Sequence, residues 1–190
     1  MNRFENWFCS SSLWRSVSER KLLPWMLSGY ALGDHVLEVG SGPGAITDEL
    51  SRRAGRVTSL EYDPRFVSQL AEHHKGSRVN IVRGDAARLP FPDNSFSSVV
   101  AVLVLHHLKS PQEQNAAFQE FHRVLQPGGS FFAFEIREGW LQKAVHVCST
   151  FVPVSPASAF TRLTVAGFSR VAVEIERTAF RVCASRAAEA

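Results

Sequence analysis

Val36-Leu37-Glu38-Val39-Gly40-Ser41-Gly42-Pro43-Gly44 runs from an apolar segment into a turn with three glycines in five residues. His35 to Val39 reads as a buried strand that feeds a glycine-rich turn. A helix is expected from about Ala45 to Arg53. Glycine lets the backbone bend tightly and lets a ligand approach where a Cβ would otherwise stand. The helix that follows points free N–H groups into the same space.

Outward from this turn, short apolar runs alternate with longer amphipathic ones, which predicts βα units and a parallel sheet. Strands are expected at Arg56 to Leu60, Val79 to Val82, Ser97 to Val104 and Ser130 to Ile136. Asp63-Pro64 supplies an N-cap and a proline at the first helical position, opening a helix toward His74. Ser110-Pro111-Gln112-Glu113 is a capping box whose helix runs to Leu125, where Pro127-Gly128-Gly129 stops it. Ser155-Pro156 opens another helix, ended near Gly167. The last strands, Arg170 to Glu176 and Ala179 to Ala184, are so close that they predict an antiparallel hairpin at one edge.

The chain has 190 residues, enough for one domain with a sizeable core. Lys plus Arg is 21 and Asp plus Glu is 18, a net charge of +3 that excludes a strongly cationic nucleic-acid tail. Cys9, Cys148 and Cys183 are odd in number and far apart, which argues against a disulfide framework or a structural zinc site, and no metal is called for. No signal-like or spanning segment is evident, and unpaired thiols suit a reducing compartment, so a cytoplasmic location is expected.

Ligands in open α/β sheets bind beyond the carboxyl ends of the strands. Glu61 follows Gly40 by 21 residues, at the end of the second strand, where a carboxylate can accept both hydroxyls of a ribose. Taken alone, this also satisfies the loose dinucleotide fingerprint through Gly40, Gly42 and Ala45, so a dinucleotide-dependent oxidoreductase stays open at this point.

The run from Val36 to Gly44 resembles the first motif of class I S-adenosylmethionine-dependent methyltransferases, and Leu60-Glu61-Tyr62-Asp63 resembles their second. Gly84-Asp85-Ala86-Ala87-Arg88-Leu89-Pro90-Phe91-Pro92-Asp93-Asn94-Ser95-Phe96 is similar to their third, in its ubiquinone/menaquinone-type form. Leu105-His106-His107-Leu108 and Val124-Leu125-Gln126-Pro127-Gly128-Gly129 continue the series in order. The resemblance implies a Rossmann-like doubly wound seven-stranded sheet, order 3-2-1-4-5-7-6, with strand 7 antiparallel. It implies S-adenosyl-L-methionine as cofactor, with Glu38 near the methionine ammonium and Gly40, Ser41 and Gly42 beside the methionine and ribose. Glu61 would hold the ribose, Tyr62 would lie against the adenine, and Asp85 and Ala86 would bond it. Ala101 would line the methionine tail. For Glu38 the alternative is a charge buried to pair with a core arginine. Arg52 and Arg53 are expected to complement the far end of their helix.

Methyl transfer needs the acceptor aligned and water excluded, with a base only if the acceptor loses a proton. His106 and His107 follow strand four at the carboxyl edge and are the candidates for that base; the alternative is local capping or packing. Three of four tryptophans (Trp7, Trp14, Trp25) fall in the first 25 residues. Residues 1–30 read as a helical lid on a core at 31–190, with membrane-surface contact and simple core packing as the other readings. Apolar residues between Glu138 and Pro153 are expected either to wall an acceptor pocket or to form an amphipathic helix. The acceptor expected is a small molecule or lipid-like compound. Modest charge and the lack of an Asn- or Asp-Pro-Pro-aromatic motif after strand four argue against nucleic acid. A non-catalytic cofactor-binding module is the remaining alternative.

Overall fold

The computed structural model describes residues 3–139 and 150–188. Seven strands form one sheet: β1 (His35–Val39), β2 (Arg56–Glu61), β3 (Val79–Arg83), β4 (Phe96–Val102), β5 (Leu125–Ile136), β6 (Ser169–Ile175) and β7 (Ala179–Ser185). Their order is β3-β2-β1-β4-β5-β7-β6, as the resemblance implied. The first four neighbour pairs are parallel, whereas β7 runs antiparallel to both β5 and β6.

Alternate side chains divide the core between the two sheet faces. Leu37, Val99, Phe131 and Ala133 pack on one side with Phe118 and Phe121 of α6 (Pro111–Val124) and Leu163 of α7 (Pro156–Val165). Val36, Val57, Val100 and Phe132 pack on the other with Ile46 and Leu50 of α4 (Ala45–Arg53). Four short N-terminal pieces complete that second face: α1 (Arg3–Cys9), α2 (Ser12–Val17), a π-helical turn at Ser18–Leu22 and α3 (Leu23–Met26). Trp14, Leu22, Leu23 and Met26 are buried there, while Trp7 and Leu13 stay exposed. The N-terminal segment therefore packs on the core.

The helix starts follow local chemistry. Asp63 caps α5 (Pro64–His73), Ser110 accepts from the Glu113 N–H at 3.1 Å, and Ser155 accepts from the Ser158 N–H at 3.1 Å. Glu113 accepts from the Lys109 N–H, so the reciprocal half of the box lands one residue before its expected target. Two boundaries differ from expectation. β5 begins at Leu125, ahead of the Pro127-Gly128-Gly129 turn, because Leu125 pairs with Phe96 and the register then shifts before Ser98. Gly128 takes φ +77° within this irregularity. β4 stops at Val102 because Leu103 adopts φ +56°, a left-handed conformation uncommon for a residue with a Cβ. Of the apolar stretch expected between Glu138 and Pro153, residues 140–149 lie outside the described residues.

Candidate functional site

The carboxyl ends of β1, β2 and β4 open onto two adjoining cavities that share Gly40, Gly42, Leu103 and His107. The larger, about 410 Å³, is lined by Gly42, Glu61, Tyr62, Asp63, Asp85 and Ala86, among others. The smaller, about 190 Å³, is walled by Phe8, Trp14, Ile46, Val102, Leu103 and His106, with Glu5 and Cys9 also on its lining.

The glycine turn is built for close approach. Gly40, at φ +75°, donates to the Leu60 carbonyl at 2.8 Å, and a Cβ on it would meet Val104 Cγ2 at 2.3 Å. Gly42, at φ +49°, faces open space, since a Cβ there would meet nothing within 4 Å. Its N–H donates to Glu61 Oε2 at 2.8 Å, while Asp63 N–H donates to Glu61 Oε1 at 2.8 Å. Two backbone amides thus fix the carboxylate and leave part of its accepting capacity for a ligand.

Glu38 is 2% exposed. Its Oε2 accepts from the Thr47 hydroxyl at 2.6 Å and also from the Ser59 hydroxyl. Among the described residues no arginine pairs with it, so these contacts do not support the core-arginine alternative. Its Oε1 is buried with no hydrogen-bond partner. Burial pushes the Glu38 carboxyl up to about 7, against the two hydroxyl bonds, with the nearby Glu61 adding to the rise. Ser41 Oγ is likewise buried without a partner. Ser41 lines the smaller cavity, Glu38 lies on β1 two residues before Gly40, and orphaned buried polar atoms of this kind are costly.

His106 is 2% exposed and holds Glu135 Oε2 through Nδ1 at 2.6 Å. Glu135 is fully buried on β5, and its Oε1 accepts from the Leu105 N–H at 2.7 Å. Sequence reasoning missed Glu135; an acid within Phe131-Phe132-Ala133-Phe134-Glu135-Ile136 was the available signal. It also missed Thr47 and Ser59, whose hydroxyls carry no pattern of their own. His107 Nδ1–H donates to the Thr150 carbonyl at 3.2 Å. Burial first, and His106 second, push it down to about 3. It is therefore neutral at neutral pH. Burial and then Glu5 push the Cys9 thiol up to about 11, which suits a filler and not a nucleophile.

The expected cofactor residues Glu38, Gly40, Ser41, Gly42, Glu61, Tyr62, Asp85 and Ala86 thus gather at one edge. Ala101 does not join them: it is fully buried within β4, paired with Val39 and Ala133, and Val102 and Leu103 wall the cavities instead. Arg52 and Arg53 bond Glu49 through their Nε atoms, at 2.9 and 2.6 Å, and so act within the helix surface.

The fold and this rim define a class of proteins that bind an adenosyl group at the first glycine turn of a doubly wound sheet. Residues 37–133 match the family model of the methyltransferase domain. The chain belongs to this family of class I S-adenosylmethionine-dependent methyltransferases. Among its relatives, a probable ribosomal RNA small subunit methyltransferase A of Thermococcus onnurineus is 44% identical over 50% of this chain and 33% of its own length. The ubiquinone/menaquinone biosynthesis C-methyltransferase UbiE of Hahella chejuensis is 32% identical over 57% of this chain and 45% of its own. The match thus spans less than half the length of either relative. The crystal structure of the PH0226 protein from Pyrococcus horikoshii OT3 superposes with a TM-score of 0.78 at 20% identity, covering 94% of this chain and 93% of that one. Among the described residues no helix is long and apolar enough to cross a membrane.

Proposed function

We propose that the chain transfers the methyl group of S-adenosyl-L-methionine to a small-molecule or lipid-like acceptor seated in the smaller cavity. The observation that carries the cofactor half is the charge of the two linings. Glu5, Glu61, Asp63, Asp85 and Glu113 face the cavities, and Lys109 is the single Lys or Arg among the described lining residues. A diphosphate would need cations or clustered donors; an ammonium, a ribose and an adenine amino group need acceptors. The orphaned Glu38 Oε1 supplies the acceptor an ammonium wants. When bound, the cofactor would supply an activated methyl carbon on a sulfonium.

The acceptor half rests on the apolar wall of Phe8, Trp14, Ile46, Val102 and Leu103. We assign the N-terminal helices within residues 1–30 the role of a lid that excludes water from this space, over the core at 31–190. His106 is the candidate base. Glu135 holds its Nδ1 edge, so a proton from an acceptor would be taken at Nε2. His107, held neutral, positions the ring beside it at 4.2 Å between centroids.

The relatives include one named for ribosomal RNA and one named for a quinone pathway. The apolar wall favours the second kind of acceptor. Incubation with labelled methyl donor tests this against organic extracts and against ribosomal RNA. Label in the extractable fraction is the expected result, and label confined to RNA overturns it. Isothermal titration with S-adenosylhomocysteine and with nicotinamide dinucleotides tests the cofactor half; binding of the dinucleotide alone would sink it.

A further inference from the structure

Outside the linings of the two cavities, three side chains meet between the first turn of α4 and the C-terminal end of α5. Asp48 lies in the first turn of α4, His73 closes α5, and His74 is the residue that caps it. Asp48 Oδ1 is 3.3 Å from His73 Nε2 and 3.4 Å from His74 Nε2. The other carboxylate oxygen, Oδ2, is held by Arg15 from α2. All three ligand atoms lie within 4.8 Å of one another.

We propose that Asp48, His73 and His74 form a binding site for a divalent transition-metal ion of the zinc type. Geometry carries the assignment. Zinc bonds to imidazole nitrogen and carboxylate oxygen of ~2.0–2.1 Å place tetrahedral ligands ~3.3–3.4 Å apart. Both observed nitrogen–oxygen separations have that length, which is long for a hydrogen bond. The second observation is His74 itself. Its side chain is more than nine-tenths buried, at 8% exposed, and its Nε2 is aimed at Asp48 yet has no hydrogen-bond partner. A buried ring nitrogen left in this state is costly, and a metal ion would satisfy it. Imidazole and carboxylate together suit zinc, cobalt or nickel over calcium and magnesium.

Three protein ligands leave a fourth position for water. Asp48 neighbours Thr47, whose hydroxyl holds Glu38, so an ion here would tie the first turn of α4 to the end of α5 beneath the cofactor edge. Cysteine spacing gives no reason to expect a metal; this arrangement uses no cysteine, because its histidines and aspartate come from two helices.

The test is titration of the tag-free, full chain with cobalt(II), read by the visible ligand-field band of a tetrahedral ion. A band saturating at one ion per chain, and displaced by zinc, is expected. His73 is exposed, so His73→Ala keeps the core intact; it should weaken binding at least ~10-fold. His122→Ala, at a distant histidine, should leave the titration unchanged. Absence of a one-to-one band in the wild type would overturn the proposal, as would a band that survives both His73→Ala and Asp48→Asn. Neither result bears on S-adenosylhomocysteine binding, which uses other residues.

Discussion

Two buried carboxylates one strand apart from each other's neighbourhood, Glu38 on β1 and Glu135 on β5, are treated oppositely by the fold. Glu135 has both oxygens engaged, one by the Leu105 amide and one by His106. Glu38 has one oxygen held twice and the other bare. Desolvating a carboxylate is unfavourable unless hydrogen bonds compensate it. The satisfied acid is part of the scaffold that orients a histidine. The half-satisfied one keeps a bare oxygen, the acceptor that the proposed function assigns to a cofactor ammonium.

The largest effect expected from this contrast is on stability. Glu135→Ala strips the partner from His106 and from the Leu105 N–H at once, inside the core. Removing one member of a buried, hydrogen-bonded pair costs roughly 3–5 kcal/mol. Denaturant unfolding should show this loss, with Glu135→Gln recovering part of it. An unfolding midpoint within error of wild type would remove Glu135 from the scaffold and break the comparison.

Glu38→Gln should act in the reverse sense. The Gln carbonyl oxygen can still accept from Thr47 and Ser59, while its amide faces the place assigned to an ammonium. Affinity for S-adenosylhomocysteine should fall about 10- to 100-fold, the worth of a charge-assisted bond of ~1.5–3 kcal/mol. The apo protein should gain stability above neutral pH. Glu38 titrates near 7 in the fold against an ordinary 4.5. The native state therefore holds the extra proton between those values, and stability falls as pH rises through that window. The variant should lose this fall. Urea midpoints at pH 5 and pH 8 measure it; an unchanged pH slope would mean that the bare oxygen is not a titrating site.

Gly40 and Gly42 sharpen the same distinction on the backbone. Gly40→Ala drives a Cβ into Val104 and should destabilise the protein by about 1–3 kcal/mol, from clash and a positive φ together. Gly42→Ala has open space ahead of it, so its folding cost should be near 1 kcal/mol, while the methyl occupies the ligand's approach. Cofactor affinity should fall further than stability. Equal losses in both measurements would show that the Gly42 bend serves the fold alone.

Much of this was legible in the chain. The alternating βα units, the terminal hairpin and the helix caps follow from apolar runs, Asp63-Pro64, Ser110-Pro111 and Ser155-Pro156, because those signals act locally, whereas the strand order comes from the family resemblance. The glycine turn and Glu61 are legible from the residues themselves, because a tight strand-to-helix turn calls for glycine, while the other expected rim residues come from the family resemblance. Pairings across the sheet were not. Glu135 meets His106 only because β5 lies beside β4, and a 29-residue separation carries no local signal. The end of β4 at Leu103 was missed for a related reason: a left-handed leucine is set by its surroundings and not by its own preference. Ala101 was placed on the methionine tail by motif position, yet β4 turns its side chain into the core.

The smallest expected effect concerns His107. Its folded pKa of about 3 lies below the ordinary 6.5, so the unfolded chain binds the extra proton in that window. Stability from this group is present above 6.5 and is lost as pH falls toward 3, opposite in sign to the contribution of Glu38. His107→Gln removes this acid-side loss while leaving the ring nitrogen of His106 bonded to Glu135. Methyl transfer should change by less than ~10-fold in His107→Gln and fall by ~100-fold or more in His106→Gln, the contribution of a positioned base. A transfer rate that collapses in His107→Gln but persists in His106→Gln would move the proton-accepting role to the second histidine and detach Glu135 from the chemistry.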